Sequence, residues 1–156
     1  MHSPHRAIVS ATALNQWAMD FQQNKLNILA SIEQSLAGGS RLRMGAELEV
    51  CGYSCEDHFL EEDTFRHCWE VCAEVLRQDF PDILICLGMP VMLKNTLYNC
   101  MVITLNSKIL FVRPKLQMAD DGLYREGRYF QPYDTAQGVQ QLHLPPLVRE
   151  VTGQES

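Results

Sequence analysis

Two ionisable residues sit in settings that solubility alone does not explain. Glu47 lies in Met44-Gly45-Ala46-Glu47-Leu48, an apolar segment that reads as part of a strand. A carboxylate among apolar neighbours is costly unless it is paired or at work. Lys115 closes Phe111-Val112-Arg113-Pro114-Lys115, at the end of another strand pattern, and functional groups gather at strand ends in α/β sheets. A buried glutamate and a buried lysine could together form a site. The same pair would serve equally as a structural ion pair, since structural networks perturb ionisable groups just as sites do.

Cysteine is the other reactive residue type. Cys51, Cys55, Cys68 and Cys72, with His58 and His67 nearby, have the makings of a zinc site, although a C-x3-C spacing is wider than the usual structural knuckle. Cys68 and Cys72, however, fall on the apolar face of a predicted helix, and Cys86 and Cys100 lie inside strand-like runs. Thiols in such places act as small hydrophobes, and no metal ligand is assigned. The opening Met1–Arg6 has no apolar stretch of a signal peptide, so the expected compartment is cytoplasmic, where disulfides are rare.

These residues need a scaffold, and the chain shows one. Ala7–Leu14 reads as a strand, and Leu26, Leu29, Ile32 and Leu36 recur at helical spacing until Gly38-Gly39. Met44–Val50 reads as a second strand carrying Glu47 and Glu49. An acidic loop then leads into a helix over Thr64–Arg77, with a stripe of Phe65, Cys68, Trp69, Cys72, Val75 and Leu76. Asp82–Leu87 reads as a buried strand. Asn99–Leu105 and Lys108–Arg113 form a hairpin about Asn106-Ser107. After Leu116 the periodicity fades into a long loop and the Pro145-Pro146 pair. The alternation predicts a layered α/β fold with about five strands and two helices. Two helices can cover one face of a sheet, so the other face is expected to meet something this chain does not supply.

Composition narrows the function classes. The 156 residues are 46 % hydrophobic and 21 % charged, and 13 Lys+Arg against 19 Asp+Glu leave a net charge of −6. A globular domain is expected, with no nucleic acid and no membrane as partner, since both call for a basic or long apolar footprint.

Longer motifs carry a resemblance. They are Ala13-Leu14-Asn15-Gln16-Trp17 with Asp20-Phe21 and Asn24, Gly45-Ala46-Glu47-Leu48-Glu49-Val50-Cys51-Gly52-Tyr53-Ser54-Cys55 with Asp57-His58, and Gly88-Met89-Pro90-Val91-Met92. Tyr98-Asn99-Cys100, Arg113-Pro114-Lys115 and Tyr124-Arg125-Glu126 complete the set. Together they resemble the amino-terminal glutaminase domain of eukaryotic-type glutamine-dependent NAD synthetases, a carbon-nitrogen hydrolase domain of the nitrilase superfamily. The resemblance implies a nitrilase-like αββα sandwich of which residues 1–156 supply the first half, without the synthetase domain.

It also implies a chemistry. In that family a Glu–Lys–Cys triad hydrolyses the side-chain amide of glutamine, and the ammonia serves an ATP- and magnesium-dependent amidation of deamido-NAD to NAD. Glu47 matches the general base, Lys115 the cation that stabilises the oxyanion, and Tyr124 a glutamine-contacting position. Glu49 and Glu126 match supporting positions. Full-length relatives form homo-oligomers. The family's nucleophilic cysteine follows the lysine, whereas the last cysteine here is Cys100. Were the strand to run on from Glu47, Cys51 would lie roughly 13 Å along it, far beyond hydrogen-bond reach. The isolated chain is therefore expected to be inactive, with no cofactor of its own. A non-catalytic short form docking on full-length subunits is the alternative.

Overall fold

The computed structural model describes residues 6–156; Met1–His5, and with them most of the segment read for a signal peptide, lie outside the described residues. The described residues form a mixed α/β fold around one five-stranded sheet, in the order β1-β2-β3-β4-β5. Strands β1 (Ile8–Ala11), β2 (Ser40–Met44) and β3 (Leu84–Leu93) run parallel, and β4 (Thr96–Leu105) and β5 (Lys108–Pro114) add on antiparallel. Helix α1 (Phe21–Ala37) crosses from β1 to β2, and α2 (Glu62–Arg77) from β2 to β3. The two helices pack on each other and on the central strands.

Register decides what each face carries. Arg43, Ile85 and Thr104 stand in line across β2, β3 and β4 and are buried beneath the helices, as are Leu87 and Val102. The opposite face carries Met44, Cys86, Ile103 and Phe111 in line, with Val9, Leu42 and Leu84 beside them. On that side Val9 is 64 %, Phe111 44 % and Met44 39 % exposed. The sheet thus has one packed face and one apolar open face, as the shortage of helices implied.

The elements depart from the sequence reading in informative places. β1 is shorter than Ala7–Leu14, and β3 runs on through Pro90 to Leu93. β3 turns into β4 at Lys94-Asn95, both with positive φ, a tight hairpin of the same kind as Asn106-Ser107. The expected strand Met44–Val50 ends at Met44. Beyond it the chain turns across the end of β3, with Gly45 N–H donating to Cys86 O and Val50 N–H to Gly88 O. Helix α1 begins at Phe21, capped by Asp20. It buries Asn24, Ile28, Ser31, Ile32 and Ser35, while Leu26 is 47 % exposed. Hydrogen bonds, rather than hydrophobicity alone, choose that face. Asn24 bonds Trp17 and Val50, Ser31 receives Arg43, and Ser35 receives Ser10.

A third helix, α3 (Pro146–Thr152), packs on α2 and was not visible in the sequence. Its seven residues are too few to display a period, but Pro at the start and Gly153 in the left-handed conformation at the end mark its limits. Just beyond it, the Gln154 side chain accepts from Ile109 N–H at 2.8 Å and donates to Ile109 O at 2.9 Å on β5. All six cysteines are free and buried, and among the described residues no cluster of three His, Cys, Asp or Glu side chains could hold a metal ion. No helix among them is long and apolar enough to cross a membrane.

Candidate active site

The turn after β2 and the end of β5 meet over β4. Asn99, in the middle of β4 and 3 % exposed, accepts at its backbone oxygen from Lys115 N–H at 2.8 Å. Its side-chain amide donates to Glu47 Oε1 at 2.5 Å and weakly to Glu126 Oε1 at 3.4 Å. Lys115 Nζ lies 2.7 Å from Glu47 Oε1 and 2.7 Å from Glu126 Oε2. Glu126 also accepts from Ala119 N–H at 2.7 Å and from the Tyr53 hydroxyl at 2.9 Å.

The structure therefore brings Glu47 and Lys115 together, Lys115 at the end of β5 as expected, with a correction to how Glu47 is placed. Glu47 stands on a turn rather than a strand, and its side chain is 41 % exposed. The buried acids are Glu126, at 5 %, and Glu49, at 1 %. In a strand Glu47 and Glu49 would share one face. In the turn they part: Glu49 points inward to Arg43 and Glu47 outward to Lys115.

Electrostatics follow from these contacts. Burial works against the Glu126 charge, but the hydrogen bonds it accepts from Ala119 N–H, the Lys115 ammonium and the Tyr53 hydroxyl bring its pKa down to about 2. Burial likewise works against the Lys115 charge, yet the hydrogen bonds and charges of Glu126 and Glu47 raise its pKa above the ordinary lysine value. Burial, then the Glu126 contact, lifts the Tyr53 phenol well above its ordinary range. The site thus holds a fixed cation between an anchored carboxylate and a half-exposed one. Among the described residues the second oxygen of Glu47 has no partner, which leaves it able to accept a proton.

Tyr124 does not touch this trio. It is 55 % exposed, meets the Tyr53 ring edge-on with centroids 6.1 Å apart, and lines an adjacent cavity of about 580 Å3. Tyr53, Glu56, Asp121 and Glu126 line the same cavity. Cys51 turns away from Glu47, fully buried, with its thiol toward the carbonyls of Leu48 and Gly52.

Sequence reasoning gave Asn99 and Tyr53 no role and Glu126 only a supporting one. Asn99 did carry a signal, since asparagine is unfavoured in strands and flanked here by Tyr98 and Cys100. For Glu126 the only indication was the resemblance.

A family model described as carbon-nitrogen hydrolase matches residues 8–151. The glutamine-dependent NAD(+) synthetase of Dictyostelium discoideum is 49 % identical over 144 residues, covering 91 % of this chain and 20 % of that protein. The Homo sapiens protein of the same name is 45 % identical, covering 97 % of this chain and 22 % of its own length. This chain thus spans about a fifth of the curated relatives it matches. The crystal structure of the Cytophaga hutchinsonii glutamine-dependent NAD(+) synthetase superposes with a TM-score of 0.77 at 29 % identity, over 81 % of this chain and 22 % of that one. An amidase from Nesterenkonia sp. shares the fold at a TM-score of 0.67 and 14 % identity, over 81 % of this chain and 48 % of that one.

Proposed function

This chain belongs to the carbon-nitrogen hydrolase family, and we propose that residues 1–156 act as part of a glutaminase unit like that of the NAD synthetases they resemble. Glu47 is the general base: it accepts the proton of a cysteine thiol as the sulfur attacks the amide carbon, passes that proton to the departing ammonia as the C–N bond breaks, and then takes a proton from the water that cleaves the thioester, returning it to the released thiolate. Lys115 stabilises the oxyanion of the tetrahedral intermediate, a charge already in place where negative charge develops. Tyr124 contacts glutamine from the wall of the adjoining cavity. The released ammonia serves the amidation of deamido-NAD, for which the rest of such an enzyme uses ATP and magnesium. In this reading the residues of this site hold neither. The placement of Lys115 within 2.7 Å of Glu47 is the observation that carries the proposal.

The thiol is the missing partner. No cysteine follows Cys100 in the sequence, and all six are buried, so we expect the isolated chain to release no ammonia from glutamine. A longer chain bringing a cysteine to Glu47 should release it. The assay is purified protein with glutamine, followed for ammonia. Release by the short chain that disappears in Glu47→Ala would mean that one of the six thiols serves after all.

The open face of the sheet favours a second reading. Val9, Met44 and Phe111 leave it apolar and exposed, which suits a non-catalytic short form docking on full-length synthetase subunits, proteins expected to form homo-oligomers. Co-purification with the full-length enzyme, lost when Phe111 and Met44 are both made polar, would support that reading.

A further inference from the structure

A second charged pair lies directly behind the turn that carries Glu47. Arg43, on the packed face of β2, donates to Glu49 Oε1 at 2.6 Å and to Glu49 Oε2 at 2.8 Å, a two-pronged contact with both side chains at 0 % exposure. The rest of the guanidinium is also used. It donates to Cys86 O at 3.2 Å on β3, and to Ser31 Oγ on α1 at 2.8 Å and 3.1 Å. One side chain thereby ties a helix, two strands and the turn together.

Stability alone does not call for this arrangement, because buried ion pairs are often matched or bettered by apolar residues of similar volume. What the fork supplies is geometry: a guanidinium fixes both oxygens of a carboxylate, where an ammonium would hold a point charge. The turn is built around that contact. A Cβ on Gly45 would lie 1.8 Å from Glu49 Oε1 and 2.6 Å from Arg43 Nη1, so any side chain there would have to displace the forked pair. Leu48, next to Glu47, adopts φ +53, a conformation that β-carbon-bearing residues hold only when their surroundings impose it. Glu49 is fixed from the other side too, its carbonyl accepting from Gln16 Nε2 at 2.9 Å. Glu47 therefore stands two residues from a carboxylate locked at both oxygens.

From this arrangement we infer that Arg43 and Glu49 are positioning residues for Glu47, their forked contact setting the turn so that Glu47 Oε1 meets Lys115 and Asn99. The inference rests on the reading of Glu47 as the base, but its test asks nothing of turnover.

The test is the titration of the Lys115 ammonium by NMR in the 156-residue chain. Glu47→Gln calibrates the shift caused by losing the Glu47 charge. Arg43→Lys keeps the buried charge and loses the fork. The Arg43→Met, Glu49→Leu double variant removes both charges while preserving volume. The expected result is that each lowers the Lys115 pKa by at least half the Glu47→Gln shift, even where thermal unfolding matches the unsubstituted protein. Where the double variant fails to fold, Arg43→Lys is judged by the same criterion. A folded variant in which Lys115 titrates as in the unsubstituted chain overturns the inference and makes the pair structural only. Failure of the proposed glutaminase would appear separately, as no ammonia release from a longer chain whose Lys115 titration still depends on Arg43.

Discussion

Lys115 Nζ is 2.7 Å from Glu126 Oε2, and this contact separates the two acids of the site by task. Glu126 is 5 % exposed and accepts from Lys115, Ala119 and Tyr53. It anchors the cation. Glu47 shares that cation with its side chain 41 % exposed and, among the described residues, one oxygen without a partner, which suits the role of base proposed for it.

The anchoring has a pH signature. Glu126 has its pKa brought from 4.5 down to about 2 in the folded chain. Its contribution to stability is therefore complete above about pH 4.5 and fades as the pH falls toward 2. Lys115 is shifted upward, so its contribution is complete below its ordinary value of 10.5 and is lost as the pH climbs through the raised one. Tyr53→Phe removes one donor to Glu126 and lets its folded pKa rise toward 4.5, so the variant should be less stable above about pH 4.5 and should lose less stability on acidification, the loss ending at a higher pH. Urea midpoints measured from pH 2 to 7 check this. Superimposable curves for the two proteins would mean that the Tyr53 contact does not hold the charge.

Gly88 is where β3 passes beneath the turn. A Cβ there would lie 2.2 Å from Ala46 O and 2.6 Å from Leu48 N, both backbone atoms. Gly88→Ala should cost about 2–3 kcal/mol through overpacking, a fall in Tm of roughly 4–12 °C for a chain of this size. It should also push Glu47 away from Lys115. Calorimetry with the Lys115 titration tests both; an unchanged Tm would show that the turn yields freely.

Asn24 is fully buried, accepting from Trp17 N–H at 2.9 Å and donating to Trp17 O at 2.7 Å and Val50 O at 3.2 Å. Asn24→Ala strands those groups and should cost about 2–4 kcal/mol. Asn24→Asp keeps the shape but sets a carboxylate against two carbonyl oxygens, so it should be the worse of the two at pH 7 and recover part of the loss at pH 4. Chemical denaturation at both pH values distinguishes charge from shape.

The cysteines should be quiet. Burial alone pushes the Cys72 and Cys100 thiols up to about 12, and the thiolate is the reactive form. A disulfide reagent at pH 8 should label fewer than about one thiol in the native protein within minutes, and all six after unfolding. Rapid labelling of a native cysteine would reopen the search for a nucleophile within the chain.

Much of this fold could be read from residue order, and the failures share a cause. Helix α2 was legible because its stripe is apolar, and the Asn106-Ser107 hairpin because its turn residues tolerate positive φ. In α1 Ile32 is buried and Leu29 and Leu36 pack against the core, but Leu26 is exposed, and Asn24, Ser31 and Ser35 are buried for the sake of partners that, being distant in sequence, leave no period. Lys115 was found at the end of its strand, while Glu47 was found as a residue but misplaced in setting. The stretch after Met44 has strand-like alternation, and the contacts that hold it as a turn, among them Glu49 with Arg43 and Val50 with Gly88, are made by residues distant in sequence. Helix α3 fell below the length at which a pattern can be recognised.

The Gln154 amide on Ile109 matters beyond this one molecule. An outermost strand presents unpaired amide and carbonyl groups that can template another chain. By accepting and donating at a single residue, Gln154 stands in for one link of a sixth strand. Lys108, bonded to the Thr152 carbonyl, keeps the segment in place. Losing the Gln154 side chain would leave the rest of the fold intact but give β5 a vacant hydrogen-bonding position, and the consequence would be seen in molecules adhering strand to strand.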